Sequence, residues 1–167
     1  MYIYGGDCAF VHCTIAQFYP FTATRGNALF LANNINDQYR ELRQAQFINC
    51  VITGYGEDVI MGSISEGQDY TCPYLFSHCY LNTVASEDTV RFSHIIYDTD
   101  EQPLCREKNF VLFDTDNFLY DFTPDSLSTI RSLADTTYSR LLPLDLRGKS
   151  RVEDDAPDAG CYEYVAP

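Results

Sequence analysis

A six-residue pattern occurs three times in this chain and restricts its fold more than any other feature. The pattern is Phe, any residue, His or Asn, Cys, any residue, aliphatic, and it occupies residues 10–15, 47–52 and 76–81. A degenerate fourth copy is predicted at residues 110–113, where Phe takes the place of Cys. Sequence repeats with spacings of this kind are typical of solenoids and other stacked architectures.

The repeated pattern predicts a strand, a tight bend and a second strand. Its β-branched and aromatic residues favour strands, and no helical stripe continues on either side. Phe and Cys are three residues apart, so a straight strand would place them on opposite faces. A left-handed residue before Cys brings both inward, and His12, Asn49 and His78 occupy that place. The predicted buried structural ladder consists of Phe10, Cys13, Phe47, Cys50, Phe76 and Cys79.

Between the repeats lie further short apolar runs that are punctuated by glycine, proline and polar loops, as in a chain of many short strands. The length of 167 residues favours one domain. We therefore predict an all-β fold, a β-solenoid formed by a single domain over residues 1–167. Residues 1–120 are expected to form the coils, and residues 121–167 a closing segment.

The repeat resembles the coils of right-handed single-stranded parallel β-helix proteins, the pectate-lyase-like (pectin lyase-like) family. Bacterial surface and secreted members often close with Asp-x-x-Gly-x-x-Arg, followed by Pro-Asp-hydrophobic-Gly-Ala-Tyr-Glu. Here the first motif occupies residues 145–151 and the second residues 157–163, with Ala159 and Cys161 in place of the usual Ile and Ala. The resemblance implies about four coils and a C-terminal cap.

The closing residues are interpreted as structural. A solenoid end must be covered, because its exposed edge otherwise invites association. Arg151 is expected to pair with Asp145 or Asp158 and to hold the tail over the last coil. The predicted cap residues are Asp145, Gly148, Arg151, Asp158, Gly160 and Tyr162.

The charge balance excludes two classes of partner. The chain has 24 acidic and 11 basic residues and a net charge of −13, which is unsuited to nucleic acid or to an anionic membrane. No window has the roughly 18 apolar residues of a membrane-spanning helix, so no membrane insertion is expected. The first residues lack the features of a signal peptide, whereas the family resemblance implies a periplasmic, cell-surface or extracellular parent protein.

The sequence contains few residues that indicate a metal site or a disulfide. Lyases of the resembled fold often use Asp-bound calcium, and Asp98, Asp100 and Glu101 are the candidate ligands; the alternative is a solvated acidic face. No other cofactor is expected. The absence of Cys-x-x-Cys argues against a zinc site, and Cys72 and Cys105 either form a disulfide or remain free thiols.

Aromatic residues in predicted loops provide the remaining signal. Aromatic rings stack on the CH faces of sugars, so these loops are a candidate carbohydrate-binding surface; alternatively, the rings close over the coils. The candidates are Phe18, Tyr19, Phe21, Tyr55 and Tyr70.

Three functions remain open, and no catalytic residue is assigned. The first expectation is a module of an exported bacterial protein that binds carbohydrate or is structural, without a complete active site of its own. One alternative is a polysaccharide lyase or glycoside hydrolase acting on acidic or plant-type polysaccharide. Another is a fragment that only self-associates through its open N-terminal coil.

Overall fold

The structure is a computed structural model and belongs to the all-β class, since strands make up 41% of it. It describes residues 1–19, 21, 26–56, 58, 60–66, 73–99 and 106–166. The strands in these residues are β1 (Tyr2–Tyr4), β2 (Gly6–Val11), β3 (Thr14–Gln17), β4 (Leu29–Ala32), β5 (Asn34–Ile35), β6 (Gln38–Tyr39), β7 (Leu42–Ile48), β8 (Val51–Gly54), β9 (Ile60–Ser63), β10 (Tyr74–Ser77), β11 (Tyr80–Leu81), β12 (Phe92–Ser93), β13 (Ile96–Tyr97), β14 (Phe110–Asp114) and β15 (Leu119–Pro124). A 3₁₀-helix spans Arg106–Asn109 and helix α1 spans Thr136–Leu141.

Eleven of these strands form three parallel sheets. The first sheet has the order β1-β4-β9, the second β12-β10-β7-β2 and the third β13-β11-β8-β3. Two antiparallel hairpins, β5–β6 and β14–β15, complete the described strands. Neighbouring strands in each parallel sheet come from successive parts of the chain, so equivalent positions lie beside one another. No helix in the described part of the chain is long and apolar enough to cross a membrane.

The repeated phenylalanines lie in register across the second sheet. Phe10 pairs with Phe47, Phe47 with Phe76, and Phe76 with Phe92. Their ring centroids are 5.1, 4.7 and 5.1 Å apart, and neighbouring rings are within 9° of parallel. Together these four residues form the phenylalanine ladder.

The predicted left-handed bends are confirmed. The residue before each repeated Cys has a positive φ: 53° at His12, 56° at Asn49 and 52° at His78. Each bend joins a strand of the second sheet to a strand of the third, for example β7 to β8 around Asn49. The bend turns the chain between the two sheets while the side chains on both sides of it face the same core.

The fourth copy of the pattern was wrongly predicted at residues 110–113. Phe110 lies in β14, which pairs antiparallel with β15. The fourth copy begins instead at Phe92, which pairs with Phe76, and its bend residue His94 has a φ of 54°. Ile95 takes the Cys position there, so the signature that marks the other three copies is missing.

The repeated cysteines face the interior beside the ladder. Cys50 and Cys79 are fully buried, and Cys13 is partly buried. The Cys50 thiol donates to the carbonyl oxygen of Ile48 at 3.3 Å, and the Cys79 thiol to that of Phe47 at 3.3 Å. Burial raises the pKa of Cys50 well above its usual value, so this thiol stays protonated and unreactive.

Two hydrophobic cores lie on the two faces of the third sheet. The inner core takes side chains from all three parallel sheets, including Leu29, Phe47 and Ile52. The outer core covers the opposite face of the third sheet, because Val51 alternates with Ile52 along β8. The buried members of the outer core are Phe18, Val51, Tyr80, Phe110, Ile130 and Ala159.

Residues 106–166 follow the parallel strands and supply much of the outer core; from here on they are called the closing segment, in place of the predicted residues 121–167. The parallel strands end at Tyr97, and the predicted boundary at residue 120 falls inside the β14–β15 hairpin. Gly160 N–H donates to the Asn49 carbonyl at 2.8 Å, and Cys161 N–H to the Thr14 hydroxyl at 3.1 Å. The closing segment therefore lies along the side of the third sheet, which corrects the expectation that it sits over the last coil.

Candidate functional site

Three aromatic rings form a continuous exposed surface. Tyr19, Phe21 and Phe118 are 56%, 65% and 52% exposed. The centroid of the Phe21 ring lies 5.4 Å from that of Tyr19 and 5.0 Å from that of Phe118. We call these three residues the aromatic platform. Contiguous exposed apolar surface is one of the features by which candidate interaction sites are recognised.

A tight turn positions Phe118. The Asp114 carboxylate accepts hydrogen bonds from the N–H groups of Asp116 and Asn117 at 3.1 and 3.0 Å, and from the Asn117 side chain at 2.9 Å. The Asn117 bonds lower the pKa of Asp114. Phe118 then adopts a left-handed φ of 57°, which turns its ring out of the β14–β15 hairpin towards Phe21.

The platform differs from the predicted set of aromatic residues. Phe18 is only 6% exposed, and its ring centroid lies 4.5 Å from that of Phe113 and 5.1 Å from that of Tyr55. Phe18 and Tyr55 therefore belong to the outer core and its border, because both pack under the hairpin. Tyr70 lies outside the described residues. Phe118 was missed, although the residues 114–117 before it have the Asp and Asn typical of a turn.

The platform suits a ligand with alternating apolar and polar edges. Its exposed ring faces stack on CH groups, and the hydroxyl of Tyr19 adds a polar edge. The exposed carboxylate of Asp116 lies in the same turn as Phe118 and adds an acceptor beside the rings.

The candidate calcium residue Asp98 lies in the protein interior. It is fully buried, and the Tyr80 hydroxyl donates to its carboxylate at 2.5 Å. Its main-chain carbonyl accepts a hydrogen bond from the Asn82 side chain at 3.1 Å. Asp100 and Glu101 lie outside the described residues. Within the described ranges, no group of three His, Cys, Asp or Glu side chains is placed to hold a metal ion.

The cysteines Cys72 and Cys105 also lie outside the described residues. The free cysteines within the described part of the chain are Cys8, Cys13, Cys50, Cys79 and Cys161.

Asp145 ties together the first and last parts of the closing motif. One of its carboxylate oxygens accepts hydrogen bonds from the N–H groups of Arg147 and Lys149, both at 2.8 Å. The other accepts from the Glu163 N–H at 2.9 Å. Gly148, with a φ of 82°, completes the turn around Asp145.

Arg151 pairs with Glu163, which corrects the prediction of Asp145 or Asp158 as its partner. The Arg151 Nη1 to Glu163 Oε1 distance is 2.5 Å, and both side chains are at least 93% buried. Asp158 instead accepts hydrogen bonds from the Ser132 and Tyr164 N–H groups at 2.9 and 2.6 Å. Burial raises the pKa of Glu163 to about 7, and Arg151 opposes that rise.

Gly160 and Tyr162 have distinct structural roles. A Cβ atom on Gly160, whose φ is 95°, would lie 2.7 Å from the Thr14 hydroxyl and 3.1 Å from a Val51 methyl group. Only glycine allows this close approach to the third sheet. The Tyr162 ring lies under the Arg147 guanidinium, 4.4 Å from its centroid.

A buried polar cluster joins helix α1 to the bends. His12 Nε2 lies 2.9 Å from the Ser139 hydroxyl and 3.0 Å from Asn49 Nδ2. The Ser139 hydroxyl donates to the Asp135 carbonyl at 2.9 Å, which occupies its proton. Burial lowers the pKa of His12 to about 3. Although it resembles a catalytic Ser–His pair, this cluster is closed to substrate, because Ser139 is fully buried.

A cavity of about 350 Å³ opens beside the closing motif. Its lining includes Arg131, Lys149, Asp158, Glu163 and Tyr164. These groups are engaged with one another or with the main chain: the Arg131 guanidinium lies 3.9 Å from the Tyr164 ring centroid, for example. The side chains that line this cavity therefore have a structural role within the closing segment.

Comparison with known proteins identifies no family. No family model, no curated protein and no solved structure matches this chain.

Proposed function

We propose that this chain is a right-handed parallel β-helix module of an exported bacterial protein that binds polysaccharide and has no complete active site of its own. Three parallel sheets with a shared inner core, and one rung of the phenylalanine ladder per repeat, support the β-helix architecture. The closing motif supports the bacterial surface or secreted setting, through the resemblance described above.

The single observation that carries the binding function is the aromatic platform. Burial of a ring normally stabilises a fold, yet Tyr19, Phe21 and Phe118 remain more than half exposed while contacting one another. Their faces are available to sugar rings, and the turn at Asp114 holds Phe118 in place. The net charge of −13 repels polyanions, so neutral polysaccharides are the favoured ligands.

Binding to a panel of soluble polymers tests this proposal. Neutral glucans, xylans and mannans are compared with polygalacturonate by affinity electrophoresis and calorimetry. Phe21→Ala and Phe118→Ala are each expected to weaken binding about fivefold, because stacking on an aromatic ring contributes about 1 kcal/mol. Tyr2→Ala is the matched control, since Tyr2 is 60% exposed but stacks on Phe30 in the first sheet.

Two results would overturn the proposal. One is the absence of binding to every polymer, or equal weakening by the platform variants and Tyr2→Ala. The other is turnover: accumulation of unsaturated sugar products from polygalacturonate and calcium, followed by ultraviolet absorbance, would assign lyase activity instead.

A further inference from the structure

The outer edge of strand β2 takes no part in the proposed polysaccharide binding. β2 is the terminal strand of the second sheet, and within the described residues no strand pairs with its other side. An edge strand presents a row of N–H and C=O groups that another strand can bind.

The hydrogen bonds from β2 to β7 identify which main-chain groups point outwards. His12 N–H, directly after β2, donates to the Ile48 carbonyl, and the register runs without a shift from the Asp7–Gln44 pair to the Val11–Ile48 pair. The even-numbered residues therefore direct their main-chain groups towards β7, and the odd-numbered residues direct theirs away from it. The odd-numbered residues of β2 are Asp7, Ala9 and Val11.

The charge distribution favours contact between two copies at this edge. Asp7 is the only Asp, Glu, Lys or Arg among residues 1–17, whereas the whole chain has a net charge of −13. If two β2 strands pair antiparallel with Ala9 opposite Ala9, each Asp7 lies opposite Val11 of the other copy. The two Asp7 residues are then about 14 Å apart along the strands. This separation exceeds the Debye length of roughly 8 Å at physiological ionic strength, so salt largely screens their repulsion.

We propose that β2 pairs antiparallel with β2 of a second copy of this chain, around a two-fold axis at Ala9. In this pairing the Ala9 N–H of each copy donates to the Ala9 carbonyl of the other. The side chain of Ala9 is exposed and small, so it does not obstruct the approach. The second sheet then continues through both copies, as in a self-complementary dimer interface.

Sedimentation and light scattering of the full chain test the dimer. The expected result is a species of twice 19.0 kDa that dissociates on dilution. Ala9→Asp places two carboxylates opposite each other, and Ala9→Pro removes the outward N–H without removing a bond to β7. Each variant is expected to weaken dimerisation at least about tenfold. Val90→Asp is the matched control, because Val90 is 83% exposed and lies next to the opposite edge strand β12.

Amide exchange gives a readout that does not depend on any variant folding. In the dimer, the N–H groups of Asp7, Ala9 and Val11 are expected to gain protection as protein concentration rises. A monomer at every concentration would overturn the proposal, and so would exchange at these three amides that does not depend on concentration. Equal weakening by Ala9→Asp and Val90→Asp would also overturn it.

Discussion

At the scale of single residues, two buried titratable groups respond to pH in opposite directions. Burial lowers the pKa of His12 to about 3, and burial raises the pKa of Glu163 to about 7. His12 binds fewer protons folded than unfolded, so its contribution to stability rises with pH. Glu163 binds more protons folded than unfolded, so its contribution falls with pH. The two effects partly cancel in the intact protein and separate only in variants.

Replacing His12 with Asn is expected to remove the pH dependence that His12 gives to the free energy of unfolding. Between pH 3 and 6.5 the free energy of unfolding of the wild type gains up to about 1.4 kcal/mol per pH unit from His12. His12→Asn is expected to lack this contribution while keeping a residue that tolerates the left-handed bend. Urea unfolding across this range measures it, and His94→Asn at the exposed fourth bend is the control. An unchanged pH slope in His12→Asn would contradict the prediction.

Replacing Glu163 with Gln isolates the opposite effect. Between pH 4.5 and 7 the wild type is expected to lose stability relative to Glu163→Gln, by up to about 1.4 kcal/mol per pH unit, because the folded state holds the proton more tightly. The charged groups around this carboxyl are Arg151 and Asp158. The exposed Glu153→Gln variant serves as the control. The same slope for Glu163→Gln and the wild type would show that the carboxyl does not titrate in this window.

At the scale of elements, the close approach of the closing segment to the third sheet depends on one glycine. Gly160 combines a positive φ with a position at which an added Cβ atom would lie 2.7 Å from the Thr14 hydroxyl and 3.1 Å from a Val51 methyl group. Gly148 has a similar φ of 82°, but a Cβ atom added there would have no neighbour within 4 Å. The pair therefore separates backbone strain from steric exclusion.

Gly160→Ala is expected to destabilise the fold more than Gly148→Ala. Both variants force alanine into a left-handed conformation, at a cost of about 1 kcal/mol. Gly160→Ala also pushes the closing segment away from Thr14 and Val51. We therefore expect it to lower the free energy of unfolding by about 2 kcal/mol more than Gly148→Ala does. Chemical denaturation followed by circular dichroism measures both. Equal losses would mean that the closing segment does not lie against the third sheet.

At the scale of the whole molecule, the net charge of −13 opposes compactness. Raising the ionic strength from about 0.01 M to about 0.15 M shortens the range of this repulsion. The midpoint of thermal unfolding is therefore expected to rise by a few degrees, as measured by calorimetry. Calcium chloride at matched ionic strength is the comparison, since a further rise with calcium would indicate a specific site rather than screening. A midpoint that falls with added salt would contradict the prediction.

The local features of the fold follow from the sequence, whereas its long-range contacts do not. His or Asn before Cys predicts the bends, because the left-handed preference is a property of the residue itself. The sequence does not reveal the fourth copy at Phe92, because Ile95 occupies the position of the repeated Cys. Only the pairing of Phe92 with Phe76 in the second sheet identifies it. The pairing of Arg151 with Glu163 depends on how the C-terminal residues fold back. From the sequence alone, several nearby carboxylates are equally good partners for Arg151. Phe118 joins Phe21 only through the hairpin, a contact that spacing cannot reveal.

The phenylalanine ladder has a consequence for how such a chain can change over generations. Successive ladder residues are Phe10, Phe47, Phe76 and Phe92, so the connecting stretches differ greatly in length while the register is kept. Residues inserted after β11 would lengthen an exposed connection without shifting any rung. The chain can therefore acquire longer loops by insertion, while six residues per repeat preserve the sheets beneath them.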